Sequence, residues 1–361
     1  MIYRPFPMTG RPKHRSAADD EPSGSPMGDR PDERPDAGYD LLSDVLRTVR
    51  LCGAIFFDVQ VADPWVAAAP ATSLIGDTVI ADAQHVIEYH VVIEGTCWAR
   101  LADDGEPPVA LSAGSIVAFP HGDPHVLASH PDLGGAPDLA AYETASRSET
   151  VPFVLNYQEG RDRTARILCG FLGCDVTPFN PLIAALPRMV HVPGAYGRTE
   201  DDLLPQLIRA TVREANAKGP GSRGVLAKLS ELIFIEMIRR YARTQDSTVA
   251  GWLSGARDPI VGRAVQFLHS DLTRAWTVAD LAREVAVSRT VLSERFTAIL
   301  GLGPMTYLAN WRMQCAANLL RASPKPLSQI AVEVGYESEA AFSRAFKRAT
   351  GISPAHWRRD T

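Results

Sequence analysis

Two copies of one pattern, fifty residues apart, close this chain. Ser288 precedes Ser338 by that interval, as Ser293 does Ser343, Phe296 does Phe346, Gly301 does Gly351 and Pro304 does Pro354; Leu292 answers to Phe342 and Tyr307 to Trp357. Just upstream the offset is 49, pairing Ala282 with Ala331, Glu284 with Glu333 and Val285 with Val334. A repeat of this length is one supersecondary unit used twice, and each copy reads as helix, tight turn, helix. In the first, Thr277 precedes residues 278–285 as an N-cap with Asp280 in the first turn, residues 286–287 turn the chain, Ser288 caps the next helix and Gly301 ends it. In the second, Ser328 is expected to cap residues 329–334, Gly335 supplies the turn, Ser338 caps and Gly351 stops the helix.

Leu292, Phe296, Phe342 and Phe346 then form buried stripes. Arg289, Thr290, Ser293 and Glu294 are left on one exposed face, and Glu339, Ala340, Ser343, Arg344 and Lys347 on the other. Joined by a helix over residues 304–321, two such units would present two recognition helices to successive major-groove segments of DNA. Charge agrees weakly: residues 258–361 hold 13 Lys and Arg against 9 Asp and Glu, a surplus within a chain of net charge −5. A helical bundle that carries its duplication for packing alone leaves the surface Arg, Ser and Thr unexplained.

The run Ile330-Ala-Val-Glu-Val-Gly-Tyr-Glu-Ser-Glu-Ala-Ala-Phe-Ser-Arg-Ala-Phe-Lys-Arg-Ala-Thr-Gly-Ile-Ser-Pro354, closing on Trp357-Arg358, resembles the DNA-binding signature of the AraC family of bacterial transcription regulators. The resemblance implies an all-α reader over residues 259–361. It places base-reading positions on Thr290, Ser293 and Glu294 in the first recognition helix, and on Glu339, Ala340, Ser343 and Arg344 in the second. Arg344 has the fork that matches guanine O6 and N7. Arg289, Lys347 and Arg348 suit phosphates, which position without specifying. Glu339 and Ala340 replace longer amides of some relatives, which reduces direct readout by that helix.

Upstream the patterning differs. Residues 1–38 mix seven prolines with both charges and no aliphatic period, and read as a disordered tail. A short amphipathic helix opens the fold at Leu41, Leu42, Val45, Leu46 and Val49. Short β-type runs follow at 53–59, 85–93, 96–101, 115–119, 126–129, 153–157 and 166–171, separated by Gly, Pro and Asp clusters, the mark of a barrel or sandwich. Helices at 203–217 and 225–242 flank a break at 218–224, with Val225, Leu229, Leu232, Ile233, Glu236, Met237 and Arg240 on one face of the second; the pair serves either the core or a homodimer. Residues 245–258 read as a linker. The expected architecture is α+β: an N-terminal β-barrel domain over 39–200, a helical pair over 201–244, and the all-α reader with two helix-turn-helix motifs.

Gly114-x5-Pro120-x-Gly122-x2-His125 has the spacing of the second cupin motif, and Glu88-x6-Gly95 fits the tail of the first; Asp82 and Gln84 stand where that motif normally has two histidines. With Pro64-Trp65, Tyr89-His90, Cys97-Trp98 and Cys169-Gly-Phe-Leu-Gly-Cys174, the stretch from Leu41 to about Val192 resembles the cupin-like sensor domain of one AraC subgroup. That implies a small effector in the barrel mouth, with Glu88, His90, Trp98 and His125 as candidate contacts. Period-two alternation turns Gln84, Val86, Glu88, His90 and Val92 inward together, towards His125. Two imidazoles and a carboxylate suit Zn²⁺ or Fe²⁺, suit a polar effector equally, and suit each other in a core; the sequence leaves all three open. Cys169 and Cys174 are buried small hydrophobes, thiol sensors or metal ligands.

Five cysteines, no stretch of 18 consecutive apolar residues and no apolar leader fit a cytoplasmic chain without a membrane span. No nucleophilic triad, phosphate loop or HExxH motif is present. The expectation is a dimeric transcription regulator binding double-stranded DNA, a small effector and RNA polymerase. The rival is a cupin-type metalloenzyme with an accessory helical domain.

Overall fold

The computed structural model describes residues 40–103, 105–148, 152–157, 161–194, 202–217, 219–244 and 251–359, apart from the side chains of residues 55 and 56. The expected tail at 1–38 and residues 245–250 of the expected linker lie outside them.

Helix α1 (Leu41–Thr48) is capped by Asp40, whose carboxylate accepts from the Ser43 N–H at 3.1 Å. It leads into β1 (Leu51–Val61), β2 (Val66–Ala69), the short α2 (Gly76–Val79), β3 (His85–Glu94), β4 (Thr96–Leu101), β5 (Val109–Ser112), β6 (Ile116–Phe119) and β7 (His125–Ala128). Then come α3 (Leu139–Ser146), β8 (Phe153–Tyr157), β9 (Ala165–Cys174), α4 (Pro181–Ala184) and β10 (Val190–Val192). One sheet runs β10-β6-β3-β9-β1-β8 and the other β2-β7-β4-β5; every neighbouring pair is antiparallel except β1 with β8.

The two sheets face each other across a core that includes Phe57, Val92, Leu101, Phe119, Ile167 and Phe171. The outer face of the larger sheet is covered by α5 (Leu203–Ala217) and α6 (Ser222–Thr244). Strands β3 and β9 are therefore buried on both faces: Val86, Glu88, His90 and Val92 of β3 point between the sheets, and Ile87, Tyr89 and Val91 point to the helices. At Gly170 a Cβ would lie 2.2 Å from the Tyr89 ring, so only glycine lets Tyr89 cross β9 to share a 2.7 Å hydrogen bond with Ser230 of α6. On the same outer face Arg166 donates to both oxygens of Asp58 (2.9 and 2.7 Å) and to Asn216 of α5 (3.0 Å).

The break before α6 is shorter than its glycines suggest. Gly221, with φ +84°, ends the turn, and the exposed Gly224 sits inside the first helical turn. Burial on α6 centres on Leu226, Ser230, Ile233, Phe234 and Met237, so Val225 and Leu232 of the expected single face are exposed.

The C-terminal domain comprises α7 (Trp252–Arg257), α8 (Val261–Ser270), α9 (Val278–Glu284), α10 (Arg289–Leu300), α11 (Pro304–Ala322), α12 (Leu327–Glu333), α13 (Glu339–Thr350) and α14 (Pro354–Arg359). Both helix-turn-helix units form. Thr277, Ser288 and Ser338 accept from the Asp280, Val291 and Ala341 N–H groups, and Gly301 and Gly351 close α10 and α13 in the left-handed region. Ser328 does not cap: α12 begins two residues earlier than expected, behind Pro326, whose fixed φ of −62° already suits a helix entry. The turns correspond, with Ala286 at φ +57° and Gly335 at φ +79°. A Cβ at Gly335 would meet the Leu272 carbonyl at 2.4 Å, whereas the first turn holds an alanine despite its strained φ.

Residues 252–257, expected as linker, are helical: Trp252 is 3% exposed and its indole N–H donates to the Tyr307 hydroxyl at 3.0 Å. Long α11 carries both cores, giving Tyr307, Leu308 and Trp311 to the first and Met313, Ala317 and Leu320 to the second. The first core continues into the sensor domain. Asp44 of α1 bonds His269 Nδ1 at 2.7 Å, the Phe179 N–H donates to Gln314 at 3.0 Å, and Asp175 pairs with Arg321.

Candidate functional site

Between the two sheets lies a cavity of about 230 Å³. Alternation builds it: β1 turns Phe57 and Val59 inward, β3 Glu88 and His90, β9 Ile167 and Cys169, β8 Leu155 and Tyr157, and the facing β7 His125 and Leu127. Trp65, just before β2, and Tyr142 of α3 complete the walls, with Asp138 and Ala141 at the mouth. Phe57 and Tyr142 meet edge to face at 5.0 Å.

The expected convergence on the floor is present. Ligand atoms of Glu88, His90 and His125 lie within 4.8 Å of one another, and all three residues are buried. The Nδ1–H of His125 donates to the Asp123 carbonyl at 2.9 Å, which leaves its Nε2 lone pair to accept from the Nε2–H of His90 at 2.7 Å. Glu88 stands 3.7 Å from His90 and 4.0 Å from His125. Three polar atoms of the lining residues are buried without a hydrogen-bond partner among the described residues: Glu88 Oε2, His90 Nδ1 and Trp65 Nε1. Burial pushes the Glu88 carboxyl up to about 8 and the His125 imidazole down to about 4; burial and the neighbouring His125 hold His90 well below the usual imidazole range.

The donor set is that of a divalent ion site, but its spacing is that of a hydrogen-bonded pair. Two imidazole nitrogens on one tetrahedral ion would stand about 3.3 Å apart, so the 2.7 Å contact would have to open. His90 Nδ1 also lacks the outer acceptor that orients most ligating histidines.

Opposed shifts on one cluster set a pH optimum. Glu88 is raised above its unfolded value, so its contribution to stability is full at low pH and is lost as pH climbs towards about 8. The two histidines are depressed, so theirs is full above about 6.5 and is lost as pH falls, for His125 towards about 4. Stability should peak near pH 6.5 and fall on either side. Urea titrations between pH 5 and 8 would show the peak; a stability that rises steadily across that range would contradict the assignment.

Other expected residues fall elsewhere. Trp98 does not line the cavity: Cys97 and Ala99 beside it on β4 face the core, which turns the half-buried Trp98 to the outer surface. Gln84 precedes β3 instead of facing inward, and its carbonyl accepts from the Val176 and Thr177 N–H groups. Cys169 lines the cavity, while Cys174 packs into the opposite core. Five residues of one strand span about 16 Å, which excludes a bridge between them. Burial pushes the Cys174 thiol up to about 12 and holds Cys169 well above the usual thiol range, away from reactive thiolate character. Sequence reasoning missed Tyr142, because α3 has no apolar stripe, and took Trp65 only as part of a motif.

On the reader, Arg289, Thr290 and Glu294 of α10 and Glu339, Ala340, Arg344, Lys347 and Arg348 of α13 are exposed, with Ser293 and Ser343 half-buried at matching positions. Leu292, Phe296, Phe342 and Phe346 are fully buried behind them.

A family model described as Cupin matches residues 40–243, and one described as Helix-turn-helix domain matches residues 281–360. A putative AraC-like transcription regulator of Streptomyces antibioticus is 32% identical over 281 residues, which are 78% of this chain and 89% of that protein. The HTH-type transcriptional regulator AlkR of Acinetobacter baylyi is 28% identical over 282 residues, 77% of this chain and 90% of that one. Among solved structures, the C-terminal domain of AraT, a response regulator from Geobacillus stearothermophilus, is 36% identical, covering 29% of this chain and 87% of that chain with a TM-score of 0.28.

Proposed function

This chain belongs to the AraC-like transcription regulators that carry an N-terminal cupin domain, and from that premise we propose that α10 and α13 read DNA under the control of a small effector held in the barrel cavity. The observation that carries the reading is a set of cations left without an ion pair on the recognition helices. Arg274, Arg295, Arg321 and Lys325 are committed to ion pairs with Glu284, Asp258, Asp175 and Glu333. Arg289, Arg344, Lys347 and Arg348, all on the exposed faces of the two recognition helices, have no ion pair among the described residues. Unpaired cations on two capped helices suit a polyanion.

In this reading Arg344 takes a guanine, and Thr290, Ser293, Glu294, Glu339, Ala340 and Ser343 face base edges. Arg289, Lys347 and Arg348 hold phosphates. Glu88, His90 and His125 form the polar floor of the effector site, and the contacts of α1 with α8 and of the β9–α4 segment with α11 carry its state to the reader. Exposed Val225 and Leu232 on α6 give a homodimer its seam, and RNA polymerase is the partner at the promoter. A cytoplasmic regulator without catalytic activity is the reading that relatives named as regulators support; no described helix is long and apolar enough to cross a membrane. A Zn²⁺ or Fe²⁺ ion on the floor is a second reading, favoured by the three convergent donor atoms.

Arg344→Ala should cost about 1–3 kcal/mol on the cognate site and relax preference at one base position. Binding titrations against a panel of single-base variants would show this. Equal weakening on every sequence would make Arg344 a phosphate contact.

A further inference from the structure

The cavity also constrains the chemistry of what enters it. An apolar cavity of 150 Å³ holds benzene, so about 230 Å³ holds one aromatic ring with a short substituent. Its walls match: Phe57, Trp65 and Tyr142 come from three separate segments, backed by Leu127, Leu155 and Ile167.

Charge decides the rest. Among the described residues lining the cavity there is no lysine or arginine, and exposed Asp138, at the N-cap of α3, is part of the lining. An anion would shed its hydration and find no partner, a large penalty for a buried charge. A cation would find Glu88, but that carboxyl is 1% exposed on the floor, with imidazole nitrogens 3.7 and 4.0 Å away. What the lining does leave open is hydrogen bonding. Glu88 Oε2 and Trp65 Nε1 are both buried, and neither has a partner among the described residues. A buried polar atom of this kind is satisfied at low cost by one hydroxyl or carbonyl oxygen.

We infer that the cavity takes an uncharged, largely apolar ligand the size of one substituted aromatic ring, with a single hydrogen-bonding group directed at Glu88. This rests on reading the cavity as the effector site and deepens it by naming the ligand class. The ring lies among Phe57, Trp65 and Tyr142.

Three probes share one ring and differ in the charge of the head: benzyl alcohol, benzoate and benzylammonium. Calorimetric titration of the full-length protein at pH 7 should show benzyl alcohol binding, with benzoate weaker by about a hundredfold and benzylammonium by about tenfold. Glu88→Leu should erase the advantage of benzyl alcohol over toluene while ring binding persists; the three-probe series on the unaltered protein needs no variant. Benzoate or benzylammonium binding as tightly as the alcohol would overturn the inference, as would Zn²⁺ binding with no response to any of the three. Benzyl alcohol that binds yet leaves DNA affinity unchanged upholds the ligand class and removes the effector reading. A bound cation that shifts DNA affinity does the reverse.

Discussion

Asp58→Ala should destabilise the sensor domain by about 3–5 kcal/mol, the usual cost of stripping one partner from a buried ion pair. Asp58 and Arg166 are 4% and 7% exposed, and the guanidinium grips both carboxylate oxygens. Without Asp58 the cation stays buried with only Asn216, among the described residues, to accept from it. Because Asn216 belongs to α5, the loss also loosens that helix on the sheet. The double variant Asp58→Ala/Arg166→Met should recover much of the deficit, since an apolar side chain of similar volume removes the orphaned charge. Urea denaturation followed by circular dichroism measures both. A single variant within about 1 kcal/mol of the parent would show that water reaches the pair.

Trp252→Ala should cost a similar amount, about 3–5 kcal/mol, although a reading by composition puts Trp252 in a linker. Its ring is buried in the first reader core and its N–H is held by Tyr307, which also bonds His269 at 2.9 Å. Removing it leaves both a cavity and a polar pair short of one member. The same argument sets where a DNA-binding fragment must begin. One starting at residue 251 should melt cooperatively and bind DNA, and one starting at 258 should melt well below it. Equal melting temperatures for the two would place α7 outside the reader's core.

The reader was legible because its signals are local. Each cap lies within three residues of the N–H it serves, and Gly301 and Gly351 stop helices by their own backbone conformation. The floor of the cavity was legible for a similar reason: alternation on β3 turns Glu88 and His90 the same way whatever that strand packs against. The odd spacing of Cys169 and Cys174 on one strand likewise puts them on opposite faces, by the same period of two. Less legible were β2, with its run of alanines, and three-residue β10, both too short or too bland to show a period. Helix α3 hides its role because small residues surround Tyr142. Docking between domains was beyond reach, since contacts such as Asp44 with His269 join residues 225 apart and obey no period.

Helix α11 has one more consequence. At 19 residues it is a rod about 28 Å long, with a recognition unit built on each end and the sensor clamped along its side. Two heads on a rod act as a ruler, unlike two heads on a string. Bound DNA must then offer both elements on one face, so an insertion of about five base pairs carries the second element half a turn out of view. An insertion of about ten restores the face but overruns the rod. Operators for such a protein are held to a helical phase as strictly as to their bases.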